Sequence, residues 1–207
     1  MPNFENKTDE RLLWVKFLDG DDQVLSSIYL EHSHSLFDYG CRFTNDRDLV
    51  KDCIQEVFCN LIKMRSRLSE TDNIKFYLLT STKREIIRAL KKSSKKIYAE
   101  DDFDYSFELL LNKNIDQQDA EFDEGKQVAL AVALGMLTDR QKEAIYLRFN
   151  KGLEYDEISA ILNLNYQSSR ALIHRAIEKL RSLIRLEEAK FTQVLLSMFT
   201  SNNKSVI

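Results

Sequence analysis

Tyr77, Ser81, Arg84, Arg88, Lys91 and Lys95 stand at steps of four, three, four, three and four, the spacing of one stripe along an α-helix. A row of guanidinium and ammonium groups can track nucleic-acid phosphates, and the neighbouring rings of Phe76 and Tyr77 can stack on unpaired bases. That combination suits capture of a single DNA strand. The same row also fits a solvated helix face with lysines near its C-terminal dipole, so by itself it leaves both readings open.

A second set follows later in the chain. Gln167, Arg170, Ala171 and His174 fall on the outward side of an expected helix, Gln167 to Leu186, whose inward side is assigned to Leu172, Ala176, Leu180 and Leu183. Before it, Tyr155 to Leu162 forms a shorter helix with Ile158, Ile161 and Leu162 inward. The intervening Asn163-Leu164-Asn165 offers asparagines that tolerate left-handed backbone at a turn. A helix-turn-helix places the N-terminal part of its second helix in the major groove, where Arg170 and His174 could reach base edges. A helical hairpin with no DNA role shares the pattern.

Catalysis is not indicated. There are three histidines, no glycine-rich phosphate loop and no HExxH-type ligand spacing. His32 and His34 are two residues apart, point to different faces of a helix, and read as ordinary partly buried side chains. Cys41, Cys53 and Cys59 lack zinc-site spacing and read as reduced core thiols. No metal and no cofactor is expected.

The elements that must position these residues are helical throughout. With one proline, five glycines and apolar residues at three- and four-residue steps, the 207-residue chain is expected to be all-α. Leu25, Ile28, Tyr29, Leu36, Tyr39 and Phe43 trace a first helix, interrupted by Gly40 and Thr44 to Asp46. Val50, Cys53, Ile54, Val57, Phe58, Leu61 and Ile62 trace a second, with Asp48, Asp52, Gln55 and Glu56 on the opposite side. Arg65 to Asn73 reads as a loop. A third helix runs from about Ile74 to Lys92, with Leu79, Thr82, Ile86, Ala89 and Leu90 toward the core. Later, Thr138-Asp139-Arg140-Gln141 has the form of a capping box, Gly152 ends the helix it opens, and Phe191, Val194, Leu195, Met198 and Phe199 suggest a separate short terminal helix.

Charge divides the chain more sharply than its net of −3 suggests. Residues 25–96 carry 14 basic and 9 acidic side chains, and residues 128–186 carry 9 and 6, whereas residues 97–127 carry 2 and 10. Two basic units thus flank an acidic connector. Phe103, Tyr105, Phe107, Leu109, Leu110 and Leu111 within that connector predict that part of it docks rather than merely solvates. No apolar run approaches the roughly 20 residues of a membrane span, and the N-terminus has neither a basic start nor an apolar core, so a cytoplasmic protein without membrane insertion is expected.

Leu137, Arg140, Gln141, Gly152, Glu157, Ile158, Arg175, Ala176, Leu180 and Arg181 match the pattern of region four of bacterial sigma factors, and the stretch Leu137 to Leu183 resembles it. Upstream, DLVKDCIQEVFCNLI, residues 48–62, is similar to the region-two helix that binds the polymerase clamp, and FYLLTSTKREIIRALKK resembles the promoter-melting segment. Two regions with a short connector and no region three resemble the extracytoplasmic-function subfamily. Arg84 and Arg88 stand where many members carry Asn and Asp. Ser169 replaces a usual valine, which suggests looser packing.

The resemblance implies residues 1–96 as region two, 97–127 as acidic linker, 128–186 as region four and 187–207 as a tail. It implies core polymerase binding through Asp52, Gln55 and Glu56. Reading and melting of the minus-ten element would fall to Arg65, Arg67, Phe76, Tyr77, Arg84, Arg88 and Lys91, and reading of the minus-thirty-five element to Gln167, Arg170, Ala171, His174 and Arg175. Core RNA polymerase, promoter DNA and an anti-sigma factor are the implied partners, and the connector would thread toward the RNA exit path. A stand-alone dimeric helix-turn-helix regulator, whose specific DNA binding needs no polymerase, is the alternative.

Overall fold

The computed structural model describes residues 4–93, 105–109 and 124–201, with side-chain surroundings over 10–93, 105–109 and 130–184. Every regular element among the described residues is helical, and none is long and apolar enough to cross a membrane. Two compact units divide at Phe107 and Glu108.

The first unit opens with α1 (Phe4–Leu18), an element the sequence pattern did not suggest. Its buried anchors are Trp14 and Phe17, both with no exposed surface, and two positions three apart make too short a stripe to stand out among charged neighbours. Asp21 caps α2 (Asp22–Gly40) by accepting hydrogen bonds from the backbone N–H groups of Gln23 and Val24, and Asp46 caps α3 (Arg47–Met64) by accepting from Leu49. A single 3₁₀ turn (Arg65–Arg67) leads into the loop before α4 (Ile74–Ser93).

The expected apolar stripes of α3 and α4 are buried at Val50, Cys53, Ile54, Val57, Phe58, Leu61, Leu79, Thr82 and Ile86, whereas Ile62 is 53% exposed. Two further assignments change. Phe43 lies beyond the end of α2 yet stays buried, meeting Tyr39 edge-on at 5.1 Å, and Tyr29 is 45% exposed with its ring edge-on to Phe58. Gly40 sits where α2, α3 and α4 come closest, because a Cβ there would lie 2.5 Å from Val50 Cγ1 and 3.0 Å from Ile86 Cδ1.

Part of the connector does dock. Phe107 is fully buried with its ring 5.0 Å from Phe43 and 6.1 Å from Tyr39, and Tyr105 stacks at 5.4 Å on Phe43 while Lys83 Nζ donates to its hydroxyl. Phe103, Leu110 and Leu111 lie outside the described residues.

The second unit runs α5 (Glu124–Gly135), α6 (Asp139–Ile145), a π turn (Tyr146–Asn150), α7 (Tyr155–Ile161) and α8 (Tyr166–Ser201). Thr138 and Gln141 form the expected capping box, and Gly152, at φ 71°, follows the π turn. Asn163 takes the left-handed conformation at φ 52°, and Asn165 Oδ1 accepts from Ser168 N to open α8. Leu134, Leu137 and Ala176 form a buried cluster against which Leu109, Leu130, Ile145 and Leu180 pack.

Three expectations about α8 are corrected. Its fully inward positions are Ser169, Ile173 and Ala176, with Leu172, Leu180 and Leu183 only half-buried. Ser169 does not loosen the packing, since its hydroxyl lies 3.1 Å from Tyr155 O on α7 and 3.0 Å from Tyr166 O, tying the two helices of the motif together. The separate terminal helix is instead a continuation of α8 to Ser201, because no glycine or proline interrupts residues 186–201.

Candidate nucleic-acid and protein interfaces

Because α3 commits one side to the core, its other side is left to solvent. Asp52 and Gln55 are exposed and Glu56 is partly so. Asp52 and Glu56 line an open groove of about 500 Å³ with Asp46, Asp48, Leu49 and Cys53, while α4 contributes Glu85 and Ala89. Its cations are Lys51, 2.8 Å from Asp48; Lys63, 3.8 Å from Glu56; and Arg88, 2.6 Å from Glu85. Hydrogen bonding by Lys51 holds the Asp48 carboxyl below the usual carboxylate range. Five carboxylates facing three cations keep the groove acidic, and such exposed pairs open at little cost when a basic partner arrives. Burial pushes the Cys53 thiol on its floor up to about 11, so it stays protonated at neutral pH.

Glu85 was not legible as a member of this group, because only the packing of α3 on α4 brings it beside Asp52 and Glu56, whereas Asp46 joins them from the cap of α3 itself. The same packing divides the basic stripe. Arg84 and Arg88 are both exposed and Lys91 half-buried, but Arg88 turns its guanidinium to Glu85, at the edge of the acidic groove. Lys95 lies outside the described residues.

The residues of the loop and the start of α4 also separate. Arg67 is exposed and Phe76 half-buried, as contact with bases requires. Tyr77 has one side against Trp14, at a ring distance of 5.1 Å, which leaves only part of its surface for stacking. Arg65, expected with the DNA-contacting residues, is instead folded inward: its side chain is 20% exposed, lies 4.8 Å over the Phe17 ring and pairs with Asp22. It shapes the loop's base.

On α8, Gln167, Arg170, Ala171, His174 and Arg175 are all exposed, while Ser169, Ile173 and Ala176 hold the opposite side. Arg181 is occupied by Glu178 at 2.8 Å. At the motif's entrance Arg148 donates to Leu153 O and Glu154 and lies 4.9 Å over the Tyr155 ring, fixing where α7 begins. Among the described residues no cluster of His, Cys, Asp and Glu could hold a metal.

One helical unit thus carries an acidic outer groove, and the other an outward-facing helix-turn-helix. The family model for Sigma-70 region 2 matches residues 28–96, and that for Sigma-70, region 4 matches residues 127–180. The chain is similar to the ECF RNA polymerase sigma factor SigM of Bacillus subtilis (strain 168), 26% identical over 160 residues that cover 77% of this chain and 94% of that protein. In fold it is similar to CnrH, solved in complex with the cytosolic domain of CnrY (18% identity, 86% of this chain and 97% of that one, TM-score 0.54). It is also similar to the sigma factor RpoE, solved with the anti-sigma factor NepR from Bartonella quintana (20% identity, 77% and 96%, TM-score 0.53). The chain belongs to the sigma-70 family, as a sigma factor of the extracytoplasmic-function type that directs RNA polymerase to promoters.

Proposed function

We propose that the first unit binds core RNA polymerase through Asp52, Gln55 and Glu56, and that Arg67, Phe76, Tyr77, Arg84, Arg88 and Lys91 read and open the minus-ten element. Arg65 supports this set from behind. Gln167, Arg170, Ala171, His174 and Arg175 read the minus-thirty-five element, with Arg175 serving phosphates. In domain terms residues 1–96 act as region two, 97–127 as linker and 128–186 as region four. The bond-making chemistry belongs to the polymerase, and this chain supplies position and strand capture in the cytoplasm. An anti-sigma factor is the expected regulator, as the similar RpoE structure holds a sigma factor with a bound anti-sigma factor.

The observation that carries this reading is the acidic groove along α3, because Asp46 serves as the helix cap and Asp48 lies in its first turn, whereas Asp52 and Glu56, joined by Glu85 of α4, make no cap and extend the negative charge along the outer side. Charge reversal tests it. Asp52→Lys with Glu56→Lys is expected to abolish co-purification with core polymerase and promoter-directed transcription in vitro, with helicity by circular dichroism unchanged. Retained association would remove the assignment, and specific promoter binding without core enzyme would favour a stand-alone regulator.

A further inference from the structure

The loop from Leu68 to Asn73 is polar and has no ladder of its own, so by itself it would sample many conformations. It is nevertheless tied down at several points, and these ties come from α1 or the first residue of α2. Trp14 Nε1 donates to Ser69 O at 3.0 Å. Arg11 grips Glu70 Oε2 with both Nε and Nη2, at 3.2 and 2.8 Å. Ile74 N, at the first position of α4, donates to Glu10 Oε2 at 2.8 Å, which places a carboxylate at the positive end of that helix. At the other end, Arg65 rests over Phe17 and pairs with Asp22.

Glu10, Arg11, Trp14 and Phe17 lie within one arc of α1, so a single rigid element holds the loop's beginning, middle and end. Trp14 is the centre of the arrangement: its ring is buried between Phe17 and Tyr77, and its one donor is spent on the loop backbone. Ser66, Arg67 and Asp72 are exposed and take part in none of these ties, while Ser69 and Glu70 are tied yet still reach solvent. The loop is fixed from behind and open in front. Since α1 precedes residue 28, where the match to region 2 begins, the family match does not account for this arrangement.

We propose that α1 is a positioning element for minus-ten recognition, with Trp14 and Arg11 as positioning residues that set the loop's geometry and thereby the sharpness of base selection. This rests on the reading that the loop faces the minus-ten element. A loop that is held in place gives up little conformational entropy when it meets a base, and discriminates among bases through contacts that cannot re-form in a shifted geometry.

The test uses the full chain with core polymerase and a library randomised at the minus-ten and minus-thirty-five elements. Trp14→Phe keeps a ring and removes the donor, while Arg11→Ala alters only an exposed side chain. Trp14→Phe is expected to lower the preference for the best minus-ten base by about 5-fold, the scale of one lost hydrogen bond, and Arg11→Ala by a smaller but measurable factor because its pair with Glu70 is exposed, with core affinity and minus-thirty-five preference unchanged in both. Arg67→Ala separates the two levels of the argument. If it alters minus-ten preference while neither α1 variant does, α1 is a structural helix and the proposal is overturned. If none of the three alters it, the loop does not read the minus-ten element and both readings fall. Should Trp14→Phe unfold, Arg11→Ala decides.

Discussion

Arg170 and His174 occupy one turn of α8 in its first half, both exposed, and an arginine there can donate two parallel hydrogen bonds to a guanine. Arg170→Ala is expected to cost roughly 1 to 3 kcal/mol at one position of the minus-thirty-five element and to relax its base preference. Selection from a randomised element with both proteins checks this, and an identical selected motif would show that Arg170 reads no base. His32 makes a different kind of prediction. Burial, ahead of the nearby charges of Glu31, Glu10 and Lys75, lowers its pKa from the ordinary value. The unfolded chain therefore binds that proton more readily than the folded one. The stability His32 contributes is fully present above about pH 6.5 and is lost as pH falls through that value toward the folded pKa. His32→Gln, which cannot be protonated in this range, is expected to lose less stability than wild type between about pH 7.5 and about pH 5.5. Urea midpoints at the two pH values give the comparison.

At the scale of elements, the crossing of α2, α3 and α4 depends on one missing side chain. A methyl at Gly40 would overlap Val50 and crowd Ile86, and both neighbours belong to the fully packed core. Gly40→Ala is expected to destabilise the first unit by about 1 to 3 kcal/mol despite alanine's better helix propensity, read as a lower Tm. A higher Tm would mean that the helices can separate without loss. The sequence showed Gly40 only as a helix interruption; the close approach is a property of three helices together. Element existence was otherwise largely legible, since the stripes of α3 and α4 and the caps at Asp46 and Thr138 follow local rules. The exception, α1, is held by two large aromatic anchors rather than by a long periodic face.

At the scale of the molecule, the stripe on α4 is asked to act when duplex DNA opens. Arg84 is exposed opposite the core, free of the acidic groove that engages Arg88. Arg84→Ala is expected to slow open-complex formation on a duplex promoter several-fold, with a smaller effect on a template already melted at the minus-ten element, and the defect should shrink as salt is raised, because salt weakens the phosphate contact that only the wild type makes. Equal losses on the two templates would assign Arg84 to binding rather than melting. Tyr105 and Phe107 place a limit on the acidic connector: both pack on the first unit, Phe107 fully buried there, so these two residues are held against that unit.

The sequence by itself determined the all-helical class, the alternation of basic, acidic and basic segments, and the outward residues of α8. Each of these depends on composition or on a period of 3.6, both written within one stretch of chain. What only the tertiary structure decided lies between stretches. Glu85 joins Asp52 and Glu56, Arg65 turns inward to Phe17 and Asp22, Ser169 bonds to the backbone of α7, and Trp14 reaches Ser69 across 55 residues of sequence. The physical reason is that side-chain direction within a helix is set by local geometry, whereas partners across helices are set by which apolar faces bury each other, and burial is satisfied only once the whole core has formed.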